Sequence, residues 1–350
     1  MPDPSEAVRR NEFMIQPFVN ISIIMKFNHL SYLLYFFLFF ILTGLENDEN
    51  GDYLNYHRQV IEAESSMGEE RYGEALSRYK EVIGTHEFVF LRDYKIATQL
   101  ALYLNEKQKV LHFLKEGITA GWELKEIKKN SFLAPILDYP EWKNIEKKYD
   151  SLRIIYLARI DQSTRDSVHS MFKKDQQKAL GALFRIGNKA QENYGNKKFA
   201  PHSENQMAGL INILESQGYP GEKLIGNDYW MSTILGHHNS ISEDYTKKDT
   251  LYQYIKPALE KALLSGEISP YEFAMIDDWK IAVMSNRTEA GYGFLNPPVQ
   301  ATLSVTNDLR QKIGLRAIEL RNKLVDIEKK TGMDFYLPDW IQGKISIEQK

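Results

Sequence analysis

The chain has 350 residues, with 44 Lys+Arg against 47 Asp+Glu, a formal net charge of −3, and 43% hydrophobic residues. That balance gives no global basic surplus for gripping nucleic acid and no acidic solvating tail, and the length suits two domains of about 150 residues plus a tail. Cysteine is absent, which excludes disulfides, thiolate metal sites, iron–sulfur clusters, thiol catalysis and lipid-modified cysteine.

The first element is a leader. Leu30–Leu45 reads LSYLLYFFLFFILTGL, a run without a charged residue. A bilayer-spanning helix needs about 20 apolar residues, so the run is slightly short. Lys26 precedes it, and Glu46, Asp48 and Glu49 come after it. This asymmetry keeps the start inside and sends the rest outward. Met25-Lys26 ahead of an apolar core has the layout of a secretory signal peptide. Residues 1–24 are then either an over-extended start or an unusual extension. Leu42 and Gly44 make a poor small-x-small cleavage signal, so an uncleaved anchor is the alternative. In either case residues 1–46 form the leader, and the remainder is expected outside the cytoplasm, periplasmic or membrane-anchored. Contact with membrane is expected only through residues 27–45, if the leader stays.

Residues 47–150 read as paired helices. Tyr72, Ala75, Leu76, Tyr79, Val82 and Ile83 recur at helical spacing, which predicts one buried stripe. Ala97, Leu100, Ala101 and Leu104 mark a second helix, and Val110, Leu111, Leu114 and Ile118 a third. Asn105 is placed as the turn between them and Gly121 as the stop. Ala75 with Tyr79 corresponds to Val110 with Leu114, close to a 34-residue repeat period. On these positions, with Ala63 and Tyr72, the segment resembles tetratricopeptide-like helical repeats. It lacks the usual tryptophan, the glycine after it and the terminal proline. The resemblance implies a concave helical surface for a peptide or protein. Too few units are present for independent stability, so the module is expected to lean on the second domain.

Residues 151–350 read as that second, mainly helical domain. A charged helix runs from Trp142 across the boundary to Phe172. Further helices are predicted at Gln206–Gln217, Asp228–His238, Leu251–Ser265, Pro270–Met284 and Asn307–Lys330, with Ser269 as an amino-cap. Val299–Val305 is the best strand signal. The expected fold class is therefore all-α: a short helical-repeat module packed on a second helical domain.

Polar groups in this half are the candidates for chemistry. Asp161 and Arg165 are four apart and can pair on one helix face, beside Gln162. Gly218-Tyr219-Pro220 precedes Ile225-Gly226. His237 and His238 are adjacent, Asp277-Asp278 share a helix, and Asn307 and Arg310 precede Ile313-Gly314-Leu315. These motifs resemble a bacterial domain family of unknown function found behind helical repeats in exported proteins. The match lies at Asp161, Gln162, Arg165, Gly218, Tyr219, Pro220, Gly226, His237, Asp277, Arg310, Gly314 and Leu315. Tyr219 stands where that family has Trp, Asp278 where it has Arg, and Tyr292-Gly293 echoes its late Tyr-Gly. The resemblance implies no reaction.

Catalytic candidates are Asp161, Arg165, His237 and Asp277; ligand-binding candidates are Gln162, Tyr219, His238 and Arg310. No Gly-x-Ser-x-Gly elbow, phosphate loop or dinucleotide fingerprint is present, and no cofactor is expected. Asp161, His237, His238 and Asp277, with His202 outside, have donors for a metal. But His-Glu-x-x-His spacing is missing, and adjacent helical histidines point about 100° apart. These residues leave two functions open. One is a peptide- or protein-binding module of the envelope. The other is a hydrolase or metal-dependent enzyme built on Asp161, His237 and Asp277.

Overall fold

Helices carry the described chain almost from end to end. The computed structural model describes residues 53–337, 341 and 343–349, and the leader lies outside them. Within them the fold is all-α, with sixteen α-helices and no strand. None of these helices is long and apolar enough to cross a membrane.

Two helix pairs open the fold: α1 (Tyr53–Gly68) on α2 (Tyr72–Thr85), and α3 (Leu91–Tyr103) on α4 (Lys107–Thr119). Small residues let the helices approach. Ala63, Ala75, Ala97 and Ala101 are all fully buried, and Tyr79, Val110, Leu114 and Ile118 fill the space between them. Each large apolar side chain so buried contributes about 1.5–3 kcal/mol. Asn105 turns the chain with φ 59°. A short helix α5 (Leu124–Lys129) and a 3-10 turn (Ser131–Asp138) lead to α6 (Trp142–Arg159), where Trp142 and Ile145 close this first core.

The helix predicted from Trp142 to Phe172 is two helices. Ile160 is extended, and Asp161 becomes the amino-cap of α7 (Gln162–Leu183), its carboxylate accepting from Thr164 N at 2.8 Å. The Asp161 amide donates to Leu224 O at 2.8 Å. That tertiary bond ends one helix and starts the next.

Helix α8 (Asn188–Tyr194), a π turn (Gly195–Phe199) and α9 (Ala200–Gln217) come next, then the short α10 (Glu222–Ile225), α11 (Trp230–Asn239), α12 (Glu243–Lys248), α13 (Leu251–Leu264) and α14 (Pro270–Met284). Their apolar faces make a second core around Met207, Leu210, Tyr219, Ile234, Leu235, Leu259 and Ile276. Ser269 starts α14 with a full capping box to Glu272, worth about 1 kcal/mol.

The predicted strand at Val299–Val305 is a 3-10 turn leading into α15 (Leu303–Lys312). Its one sheet-like contact is an isolated bridge from Val299 to Glu348. The helix predicted over Asn307–Lys330 is broken at Ile313–Ala317, and α16 (Ile318–Thr331) begins after it. Gly314 makes that break, with φ +73°. A Cβ there would lie 2.8 Å from the Cβ of His57, so α1 presses against the turn. Helix α16 returns to α1 and delivers Leu324 and Ile327 to the first core, joined by Met333 and Phe335 beyond it.

Candidate functional site

The expected Asp161–Arg165 pair does not form. With Asp161 capping α7, Arg165 turns to Asp228 at 2.6 Å, donates to Ile225 O and lies 4.7 Å over the Trp230 ring. Gln162 is exposed and binds Asp166 at 2.8 Å. Asp277 accepts from Tyr252 OH at 2.5 Å and pairs with Lys256 at 2.8 Å, tying α14 to α13. His237 Nδ1 meets the fully buried carboxylate of Asp175. Asp161, His237 and Asp277 thus belong to three separate networks, and their contacts do not connect.

Two motif positions hold a loop. Asp278 accepts from the amides of Tyr292 at 2.6 Å and Phe294 at 2.9 Å. Burial pushes its carboxyl up to about 6, against those bonds. Arg310, fully buried, donates to Tyr292 O at 2.7 Å and Arg316 O at 2.6 Å. Asp278 and Arg310 therefore converge on Tyr292 as a clamp on the loop between α14 and α15.

His238 presents the residue types of a nucleophilic triad. Ser203 Oγ is 2.9 Å from its Nδ1, and Asp249 Oδ1 is 3.2 Å from its Nε2. The three residues are 0%, 1% and 7% exposed. Ser203 lies inside a regular helix with no strained turn to expose its oxygen. Asp249 also accepts from Leu251 N and Tyr252 N at the start of α13. These amides and His238 hold its carboxyl below the usual range in spite of burial. The arrangement ties α9, α11 and α13 together and offers no route to a substrate. Ser203→Ala is therefore expected to destabilise by about 1–2 kcal/mol in chemical denaturation, and labelling by a fluorophosphonate is expected to be absent.

His237 lines a cleft of about 460 Å³ with Gln191, Phe199, Ser240 and Ser242. Asp175 faces Nδ1 of the ring, so that nitrogen carries a proton toward the carboxylate. Among the described residues no group of three or more His, Asp or Glu side chains is arranged to hold a metal ion.

A second cleft, of about 440 Å³, lies where the first helix pairs meet α6, α7, α10 and the start of α14. Gly121, at φ +111°, allows the approach: a Cβ there would sit 2.4 Å from Asn227 and 2.7 Å from Tyr156. Arg153 donates to Gly121 O at 2.7 Å, and Glu222 accepts from Leu91 N at 2.6 Å. The basic side chains lining it are matched by acids: Arg92 with Glu64, Lys95 with Glu126, Arg153 with Glu123 and Arg165 with Asp228. Among the described residues Glu272 has no cation beside it, whereas the Arg159 charge acts on Glu222. Burial pushes each carboxyl up to about 7, against the hydrogen bonds from Leu91 N to Glu222 and from Ser269 and Tyr219 to Glu272. Tyr219, wholly buried, reaches Glu272 at 3.2 Å. Tyr229 stands at the rim, 52% exposed. Of the residues singled out from sequence, Arg165 lines this cleft and Tyr219 supports it from behind.

One wall is a non-helical segment of the chain itself, bent at Tyr336. Gln99 holds Asp334 on both sides, accepting from its amide at 2.8 Å and donating to its carbonyl at 2.6 Å. Arg92 Nε donates to Phe335 O and Tyr336 O, each at 3.1 Å. Asn130 donates to Tyr336 OH at 2.9 Å, and the Lys95 ammonium sits 4.8 Å over the Tyr336 ring. Tyr336 and Leu337 face the open cleft. Sequence reasoning missed this wall. The signal for it is the polar series Arg92, Lys95, Gln99, spaced i, i+3, i+7 on one face of α3.

No protein-family model, curated protein or solved structure matches this chain.

Proposed function

We propose that this protein is a peptide- or protein-binding module of the cell envelope, with the 440 Å³ cleft as its recognition site. One observation carries the reading: the helix-pair face beside the cleft holds a non-helical segment, Asp334–Tyr336, which bends at Tyr336, through bonds to its main chain. Main-chain bonds supply affinity for a peptide that follows the same course, and neighbouring side-chain pockets supply selection. The tetratricopeptide-like repeat spacing, in which Ala63 and Ala97 are both fully buried, supports a surface of this kind. The hydrolase reading has less support, because Asp161, His237 and Asp277 have separate partners.

The test is selection of peptides from a displayed library on the chain from residue 47 onward. A selected peptide is expected to bind with a Kd in roughly the micromolar range. Tyr229→Ala or Arg165→Ala is expected to weaken it about tenfold, the effect of truncating an interface aromatic or arginine. Recovery of no peptide above background would remove the reading.

The envelope location rests on the leader. Alkaline phosphatase fused after Lys350 is expected to be active, because its disulfides form only in an oxidising compartment. Retention in the membrane after a carbonate wash would mark an anchor, and release a cleaved signal. An inactive fusion would argue for the cytoplasm.

A further inference from the structure

We infer that Met333–Leu337 is a resident peptide of the α3 groove, and that the partner is a peptide with an Asp-aromatic-aromatic core that makes the same bend and takes its place. This rests on the peptide-binding reading and names the kind of ligand.

The course of the chain comes first. Helix α16 ends at Thr331, and Gly332, at φ +76°, turns the chain out of it. Residues 332–337 are then without helix and run across α3. The side chains that receive them stand one turn apart on a single helix face: Arg92, Lys95 and Gln99. A helix that merely packs on a neighbouring segment needs apolar residues at those positions. Here all three are polar, and two bind main chain. Gln99 gives and takes one bond with Asp334, as a neighbouring strand would, and Arg92 reaches two successive carbonyls. Such bonds do not read side chains and would form with a peptide that makes the same bend at the position of Tyr336, where φ is 48°.

Side chains then select. Phe335 is fully buried in the first core. Tyr336 takes the Asn130 bond and the Lys95 ammonium. Asp334 accepts from Tyr336 N at 2.7 Å, which fixes the bend between them. A competitor that satisfies these positions needs a short acidic residue, a large apolar residue and a hydroxylated aromatic, in that order. The resident segment is held on both sides, by α16 before it and by Arg321 bonding to Ile341 O and Gly343 O after it. Tethering raises its effective concentration to about the millimolar range, so a free peptide of the same sequence competes poorly with the intact chain. Tyr336 and Leu337 lie where the groove opens into the cleft, and a longer ligand gains the cleft contacts that the resident segment lacks.

The test uses the full chain and a fluorescein-labelled peptide of the sequence Thr331–Leu337. Binding is read by anisotropy. Wild type is expected to bind weakly. Tyr336→Ala, which loosens the resident segment, is expected to bind about tenfold more tightly or better, a gain set by the lost tether competition. Adding Gln99→Ala is expected to abolish the gain. Asn130→Ala is run beside Tyr336→Ala as a second loosening variant, with circular dichroism to show that both are folded. Equal binding to wild type and both folded variants, or binding to none, overturns the inference. Hydrogen exchange separates it from the broader reading. A library-selected peptide is expected to accelerate exchange at the Asp334 and Tyr336 amides. If such a peptide binds and their exchange is unchanged, the resident-peptide inference falls and peptide binding stands.

Discussion

Glu64→Ala is expected to lower stability by about 3–5 kcal/mol, the cost of breaking a buried ion network by removing one partner. It should appear as a lower urea midpoint with an unchanged slope. Glu64 is fully buried on α1, and both of its oxygens are committed. One pairs with Arg92 on α3 at 2.7 Å, and the other with Arg316 in the turn before α16. Burial opposes its charge, but Arg316 and Arg92 overcome that and hold the carboxyl below its ordinary range. Alanine would leave two guanidinium groups facing each other with no anion between them, and Arg316 is itself only 8% exposed. Glu64→Gln keeps the shape and loses the charge, so it is expected to cost less than alanine and still destabilise. A depressed carboxyl contributes stability that is present above its unfolded value of about 4.5 and is lost as pH falls through its folded value. The gap between wild type and Glu64→Gln should therefore narrow in acid. A Glu64→Ala cost within about 0.5 kcal/mol of zero, the range of an ordinary surface substitution, would mean that the network holds nothing together.

The same residue shows what the sequence does and does not disclose. Beside Glu64, Ala63 reads as part of a helix, and so do Ala75, Tyr79, Val110 and Leu114, because burial on one side of a helix writes its period into the chain. The pairing of Glu64 with Arg316 leaves no such mark, since the two are 252 residues apart. Asp161 illustrates the ambiguity directly. An aspartate four residues before an arginine fits a helix-face ion pair as well as an amino-cap, and the choice is made by Leu224 and Asp228, which the local pattern does not contain. Val299–Val305 has the β-branched content of a strand, but a strand needs a neighbour along its length. Only Val299 finds one, at Glu348, so the remainder coils. The cleft draws its walls from well-separated stretches between Leu91 and Leu337, and no single stretch carries its outline. His237 was legible as a candidate polar side chain, but its partner Asp175 was not, because a lone aspartate in a charged helix has the look of a solvated face.

Glu272→Gln is expected to stabilise the protein at pH 8 by about 1–3 kcal/mol and to have little effect near pH 5. Glu272 is 3% exposed with no cation to balance it, and burial raises its carboxyl to about 7. In the unfolded chain it titrates near 4.5. Above pH 7 folding therefore buries a charge, while below about 4.5 both states are neutral. A raised carboxyl contributes stability that is fully present below its unfolded value and lost as pH rises through its folded one. The rise from about 4.5 to about 7 sets a ceiling of about 3 kcal/mol on the gain. Glutamine keeps an oxygen for Tyr219 and can hold the third helical position of the capping box that Ser269 begins. Wild type alone would not read cleanly. His57, held down to about 3 by burial with Arg316 and Arg92, destabilises in the opposite direction as pH falls below about 6.5. The difference between wild type and Glu272→Gln cancels that contribution and isolates the one carboxyl. If the variant is less stable at pH 8, or equally stabilised at both pH values, the carboxyl is not charged and uncompensated in the fold. If the difference tracks pH as expected, the cleft floor changes its charge near neutrality, and affinity for a peptide with a basic residue should rise with pH over the same interval.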